Sequence, residues 1–390
     1  MRKLVWIAPL AALAIGCGVA AGGSGRSQSR DLAASGMAQG KAQASAHLTH
    51  AGTWYAVQLH AHSTHSDGVF TVPQLIAMAK KEGLDALGLS DHDTTTQWLD
   101  PALVAEKELV MLRSEEARDD LENNHMGLHG MAGSLPVLKL PRDQGLQEAS
   151  ARKGTIIANH PANRFVPWKP LEMDSRVHAI EVWNGWFWNP LVAAAETAHG
   201  EAAQVGAQDP HGHAPASPEE AISTNERAIS WWSDLLADGV RVAPVAAADF
   251  HRKPQNLASP CTLVYASEKS EAGILAGIRA GSTLLVRHPR GKRIELTADS
   301  AGDSSFAALP GDTVAPGTKF RVRALRASGD TLRVMAGRRE ILRTKVAGAD
   351  WQRELTLPEA TGRGPGFVYA RLDSGTARQM HGMTGAIYVR

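Results

Sequence analysis

The chain has 390 residues, 43% hydrophobic and 21% charged, enough apolar material for two or three domains whose core needs no disulfide or structural metal to hold it. Lys and Arg number 41 against 40 Asp and Glu, so the formal charge is +1, which excludes a polycationic surface built for nucleic acid. Cys17 and Cys261 are the two cysteines, which excludes a disulfide-stapled scaffold and a four-cysteine zinc ribbon.

Residues 1–21 read as a secretory signal. Arg2 and Lys3 precede a short apolar run, Leu4 to Gly16, broken by Pro9 and followed by small residues. The run is too short to span a bilayer permanently. Cleavage after Ala20 or Ala21 would give a periplasmic or secreted protein. Alternatively, Ala14-Ile15-Gly16-Cys17 has the look of a lipobox, and a lipidated Cys17 would anchor the mature chain to a membrane. Residues 22–50 are rich in Gly, Ser, Ala and Gln. They cannot bury enough surface to fold and read as a flexible tether.

From residue 51 strands and helices alternate. Tyr55–His60 reads as a strand. Thr71 then caps a helix, with Gln74 in capping-box position, Pro73 in the first turn, and Leu75, Ile76 and Ala79 as the apolar stripe. Gly83 ends it, and Leu84–Ser90 is a second strand, so the unit is parallel α/β. Leu109–Leu112, Thr155–Ala158, Val177–Val182 and Val240–Ala247 read as further strands, and 219–238 and 270–280 as helices. The segment 198–217 is small and polar, a surface excursion. Near 291 the texture changes to short alternating runs such as Phe320–Leu325. Residues 51–290 therefore read as an α/β domain and 291–390 as a small all-β, sandwich-like domain.

The chemistry collects where the expected strands end. HAHSTHSDG (60–68) carries His60 and His62, two apart in extended chain and so facing the same side, followed by Asp67. SDHDT (90–94) carries Asp91 and His92. RSEEAR (113–118) carries Glu115 and Glu116. NNHMGLHG supplies His125, NHP supplies His160, and ADFHR supplies Asp249 and His251. Any one of these is an ordinary surface or hydrogen-bonded residue. A His or carboxylate at strand end after strand end is different, because costly polar groups then gather at one rim. Imidazoles and carboxylates together suit divalent Zn, Mn or Fe. About nine ligands exceed one coordination sphere of four to six, so two or three ions are implied. His65, His129, His178, His211 and His213 fit no ligand spacing and read as surface or supporting residues. Trp183, Trp186 and Trp188 read either as pocket lining or as packing. Trp231 and Trp232 read as core, and Cys261 as a buried apolar residue.

As a set, these motifs resemble the polymerase and histidinol phosphatase (PHP) superfamily. ERAISWWSDLLADGVRVAPVAAADFHR (226–252) and the closing GAIYV look most like its secreted, carbaryl-hydrolase-like metallohydrolase branch. The resemblance covers residues 52–290 well and the last 100 residues loosely. It implies a distorted (β/α)7 barrel with a metal cluster at its C-terminal rim. One ion would take His60, His62, a shared Glu and Asp249. A second would take that Glu, His125 and His160, and a third Asp67, His92 and His251. The motif selects Glu116, but Ser114 replaces the usual Gly, which keeps Glu115 open. Ala248-Asp249-Phe250-His251 replaces the usual Ser-Asp-Ala-His and keeps both ligands.

The chemistry so implied is hydrolysis by metal-bound hydroxide. Asp91 would orient His92, and Arg164 and Arg252 are candidate phosphate clamps by proximity. A small-molecule phosphoester is the first substrate class. A carbamate, ester or amide is the alternative, and a non-catalytic metal-binding module is third. The sequence offers no nucleic-acid surface and no partner protein.

Overall fold

The computed structural model describes residues 52–135, 139–169, 172–185, 218–357, 366–375 and 379–390. The signal segment, Cys17, the tether, Trp186, Trp188, the 198–217 excursion, His211 and His213 lie outside them.

The fold is mixed α/β, with one large sheet and few helices. Its first part runs β1 (Thr53–Gln58), α1 (Val72–Glu82), β2 (Ala86–Leu89), α2 (Pro101–Ala105), β3 (Val110–Ala117), β4 (Met126–His129), α3 (Arg142–Ala151), β5 (Thr155–Ala158), β6 (Ala179–Asn184), α4 (Pro218–Ala237) and β7 (Ala243–Ala247). α1 starts as expected: Thr71 N donates to Gln74 Oε1 at 2.9 Å, and Gly83 closes the helix at φ 82°. That positive φ costs glycine nothing.

β1 to β7 lie side by side in chain order. Pairing is parallel except around β4, which runs antiparallel to both β3 and β5. The sequence reading has no strand at β4 and ends the third strand at Leu112, five residues short of its observed end at Ala117. Beyond the end of β1, Ala61 bridges in parallel to Phe250, beyond the end of β7, with His62 N donating to Phe250 O at 2.8 Å. The first and seventh strands are thus joined at the end where His60, His62, Asp249 and His251 project.

Below that end β1 pairs instead with β8 (Cys261–Ala266), which continues through α5 (Glu271–Ala280) to β9 (Thr283–Val286). The remaining strands are β10 (Arg293–Ala298), β11 (Thr313–Val314), β12 (Lys319–Leu325), β13 (Thr331–Ala336), β14 (Arg339–Lys345), β15 (Asp350–Thr356), β16 (Gly366–Asp373), β17 (Met380–Thr384) and β18 (Ile387–Val389). β10, β12 and β15 form a separate three-stranded sheet. Strand pairing crosses residue 291, because β17 pairs antiparallel with β9, Met383 opposite Leu285.

One of the apolar clusters spans this seam. Trp168, Ile180, Val182, Trp183 and Trp232 pack in the same cluster as Leu285, Phe367, Tyr369, Met380 and Met383. Trp183 is therefore core, not pocket lining. Trp232 meets Tyr369 edge-on, ring centroids 5.1 Å apart, a favoured aromatic geometry. Cys261 is buried and free, as expected.

Candidate metal centre

All nine expected ligands converge, in overlapping groups of three and four. His60 and His62 follow β1 in extended chain, so their rings share a side, with Nε2 atoms 3.1 Å apart. Glu116 Oε2 lies 3.1 Å from His60 Nε2 and 3.4 Å from His62 Nε2. Asp249 Oδ1 lies 3.2 and 3.4 Å from the same two nitrogens. Two ligands about 2.1 Å from one ion, at the angles of tetrahedral or octahedral coordination, stand about 3.0–3.4 Å apart. The donor set therefore has the spacing of neighbours around a metal.

Glu116 faces two ways. Its Oε1 is 3.2 Å from both His125 Nδ1 and His160 Nε2, and its Oε2 is 3.2 Å from His92 Nδ1. Asp67 closes the third group. It lies 3.3 Å from His62 Nδ1, 3.6 Å from His92 Nε2 and 3.3 Å from His251 Nε2.

The electrostatics ask for buried positive charge. Burial alone would raise the Glu116 carboxyl, yet His60, His125 and His92 hold it well below the usual carboxylate range. Asp249 is held low in the same way against its burial, by His60, His62 and His251. Burial opposes a charge on His60, but Asp249, Glu116 and Glu181 push its pKa well above the ordinary value. His62 Nδ1, His125 Nε2 and His160 Nδ1 are buried and make no hydrogen bond. Buried carboxylates facing several imidazole nitrogens at 3.1–3.6 Å suit a divalent cation better than a proton network.

The backbone is strained where the clustered residues sit. His160 has φ 27° and Asp249 φ 50°; Asp93, beside His92, has φ 49°, and Asn124, beside His125, has φ 48°. Left-handed non-glycine residues cost about 1–3 kcal/mol each and persist where surroundings fix them. Two glycines make room. A Cβ on Gly68 would meet His62 O at 2.1 Å, and one on Gly127 would meet Asn159 Oδ1 at 2.6 Å. Asn159 needs that space, since its Nδ2 donates to Glu116 Oε1 at 2.9 Å.

Glu115 is not in the cluster. β3 continues through it, so its side chain takes the face opposite Glu116; its Oε2 accepts from Leu135 N at 3.5 Å. Burial is the main reason its pKa is raised to about 7. Asp91 braces a turn rather than a ring. Its carboxylate accepts from Ser63 N, Ser63 Oγ and Ser66 Oγ at 2.7–2.8 Å, which fixes the turn between His62 and Asp67. Arg164 is exposed, its guanidinium 4.3 Å above the Phe165 ring. Arg252 is partly buried; its backbone N donates to Gln255 Oε1 at 3.0 Å, while its Nε is buried without a hydrogen bond.

His65 bonds Thr96 Oγ1 at 2.9 Å. His129 bonds Ser114 Oγ at 2.8 Å in the core, burial lowering its pKa to about 3. His178 Nδ1 accepts from Ile156 N at 3.1 Å.

Sequence reasoning missed Asn159, Glu181, Asn184 and Gln255. The available signals were that Asn159 adjoins His160, and that EVWN ends a strand as the other ligand motifs do.

No protein-family model matches the chain, and no curated protein matches it. Among solved structures it is similar to a two-domain protein from Bacteroides vulgatus containing a predicted PHP-like metal-dependent phosphoesterase. That match has 15% identity and TM-score 0.43, and covers 87% of this chain and 96% of the other. An amidohydrolase from Chromobacterium violaceum matches with 14% identity and TM-score 0.34, covering 52% of this chain and 89% of the other. A lesion-specific endonuclease from Pyrococcus furiosus matches with 14% identity and TM-score 0.39, covering 64% and 63%.

Proposed function

We propose that the chain is an exported metal-dependent hydrolase of the PHP type, acting first of all on phosphoesters. One observation carries this reading: nine His and carboxylate side chains from the strand ends meet in one largely buried cluster at ligand spacing. The finer architecture we assign is a distorted (β/α)7 barrel over 51–290 followed by a β-rich domain over 291–390. The joining of the first and seventh strands at Ala61 and Phe250 supports the barrel. The basic, apolar and small residues of 1–21 support export to the periplasm or beyond, with Cys17 the lipid anchor if the lipobox is used.

Two or three divalent ions, held by His60, His62, Asp67, His92, Glu116, His125, His160, Asp249 and His251, would supply Lewis acidity to an ester oxygen and acidify the attacking water. The protein's own groups prepare that site. Asn159 holds Glu116 so that its two oxygens face different histidines. Asp91 holds the turn that presents Asp67. Arg252, with a buried Nε free to donate, is the better of the two candidate clamps for a phosphate oxygen. The cation–π stack on Phe165 places Arg164 at the surface.

The test is turnover of the purified, tether-free protein on matched aryl phosphate monoester, phosphodiester and carbamate, with Zn²⁺ or Mn²⁺ supplied. Phosphoester cleavage that is lost in His160→Ala is the expected result. Carbamate cleavage alone would replace the phosphoesterase reading. Metal binding with no turnover on a wide panel would favour a non-catalytic module.

A further inference from the structure

Glu181 belongs to none of the ligand groups, yet it is among the most buried charged residues, 1% exposed. It sits on β6, where the pairing with β7 breaks register between Glu181 and Trp183. In a regular strand, residues three apart face opposite sides. A bulge adds one residue and brings them to one side. Glu181 and Asn184 accordingly meet, Asn184 Nδ2 donating to Glu181 Oε2 at 3.1 Å.

Glu181 touches two arms of the centre and reaches a third through Asn184. Its Oε2 also accepts from the backbone N of His160 at 2.8 Å, where the chain holds φ 27°. Asn184 Nδ2 reaches on to Asp249 Oδ2 at 3.1 Å. The other oxygen, Oε1, lies 3.4 Å from His60 Nδ1. Both of those atoms are buried, and neither makes a hydrogen bond.

We propose that Glu181 is a positioning residue that keeps the proton of His60 on Nδ1 and so presents Nε2 as a lone pair to the metal. A proton on Nδ1 is the arrangement that turns a donor rather than a lone pair toward the buried Oε1 at 3.4 Å. The other tautomer would set a lone pair against a buried carboxylate. It would also aim N–H into the space among His62 Nε2, Glu116 Oε2 and Asp249 Oδ1 that an ion would take, and so remove one ligand from it. A carboxylate behind a metal-binding imidazole commonly fixes tautomer and ring orientation in this way. The inference rests on the metal-centre reading above.

Glu181→Gln is the decisive variant. Its carbonyl oxygen must stay toward His160 N and Asn184 Nδ2, both donors, so its NH₂ faces His60 Nδ1 and reverses that one contact. Zinc affinity would be read by chelator competition, with bound metal counted per chain, for wild type, Glu181→Gln and Glu181→Ala. Glu181→Gln should bind zinc about 10–100-fold more weakly, no better than Glu181→Ala, with near-UV circular dichroism unchanged. Affinity within twofold of wild type in Glu181→Gln would overturn the proposal and leave Glu181 a space-filling residue. A wild-type protein that binds no zinc would overturn the metal-centre reading itself. If neither variant folds, ¹⁵N NMR of the zinc-loaded wild type decides: hydrogen on Nδ1 of His60 supports the assignment, and hydrogen on Nε2 refutes it.

Discussion

Glu115 and Glu116 are adjacent carboxylates with opposite fates, and strand alternation separates them. Glu116 is ionised among histidines, whereas Glu115 is buried against the backbone with its pKa raised to about 7. Above its unfolded pKa of about 4.3 the unfolded chain gives up this proton while the folded chain keeps it. Stability from this group is therefore present in acid, lost as pH rises toward 7, and flat beyond. The loss is on the order of 3 kcal/mol for a shift of this size. Glu115→Gln should remove that slope and raise the urea midpoint at pH 8 while leaving bound metal unchanged; an unaltered slope, or lost metal, would refute it. His60→Ala and Asp249→Ala should instead lose bound metal and turnover together, as metal analysis of the purified variants would show. The residues of the cluster were legible in the sequence because each sits in a short motif. The choice between the two glutamates was open because the apolar pattern stops at Leu112, while the backbone ladder continues to Ala117.

The elements that read clearly are those whose signals are local. The start and stop of α1, the long α4 and the apolar run at β5 all fall within a residue or two of expectation. β4 did not read, because four residues including a glycine give no period, and its pairing with β3 and β5 is tertiary. That glycine has a purpose visible only in the ladder. Gly127 stands opposite Glu116 on one side and Ile157 on the other, and Asn159 crosses over it to reach Glu116. Gly127→Ala would place Cβ 2.6 Å from Asn159 Oδ1, so the amide must move. The expected cost is about 1–3 kcal/mol of stability, as for other overpacked sites, with severalfold weaker metal binding. A variant with wild-type melting temperature and affinity would show that Asn159 does not hold the carboxylate.

At the scale of the molecule, the change of texture near 291 was visible in the sequence, but the seam between the two stretches was not. Leu285 and Met383 pair across about a hundred residues, and no local pattern announces such a contact. Three observations make the last hundred residues a structural support for the first part. β17 covers the edge of β9, where an uncovered strand would invite aggregation. Phe367, Tyr369, Met380 and Met383 complete the core around Trp232 and Leu285. Buried Arg371 reaches from β16 to Glu226 on α4, Nη1 to Oε2 at 2.8 Å, and also bonds Asp373. Removing residues 291–390 would strip the aromatic and methionine side chains from that core, and each such loss costs about 2–5 kcal/mol against a total stability of about 5–15 kcal/mol. The truncated chain should therefore be insoluble or unfolded even with zinc or manganese supplied. The full chain should unfold in urea in one transition, followed alike by tryptophan fluorescence, to which the core residues Trp168, Trp183 and Trp232 contribute, and by far-UV circular dichroism. Two separated transitions, or a truncated chain that folds and binds metal, would mean that the seam joins two independent units.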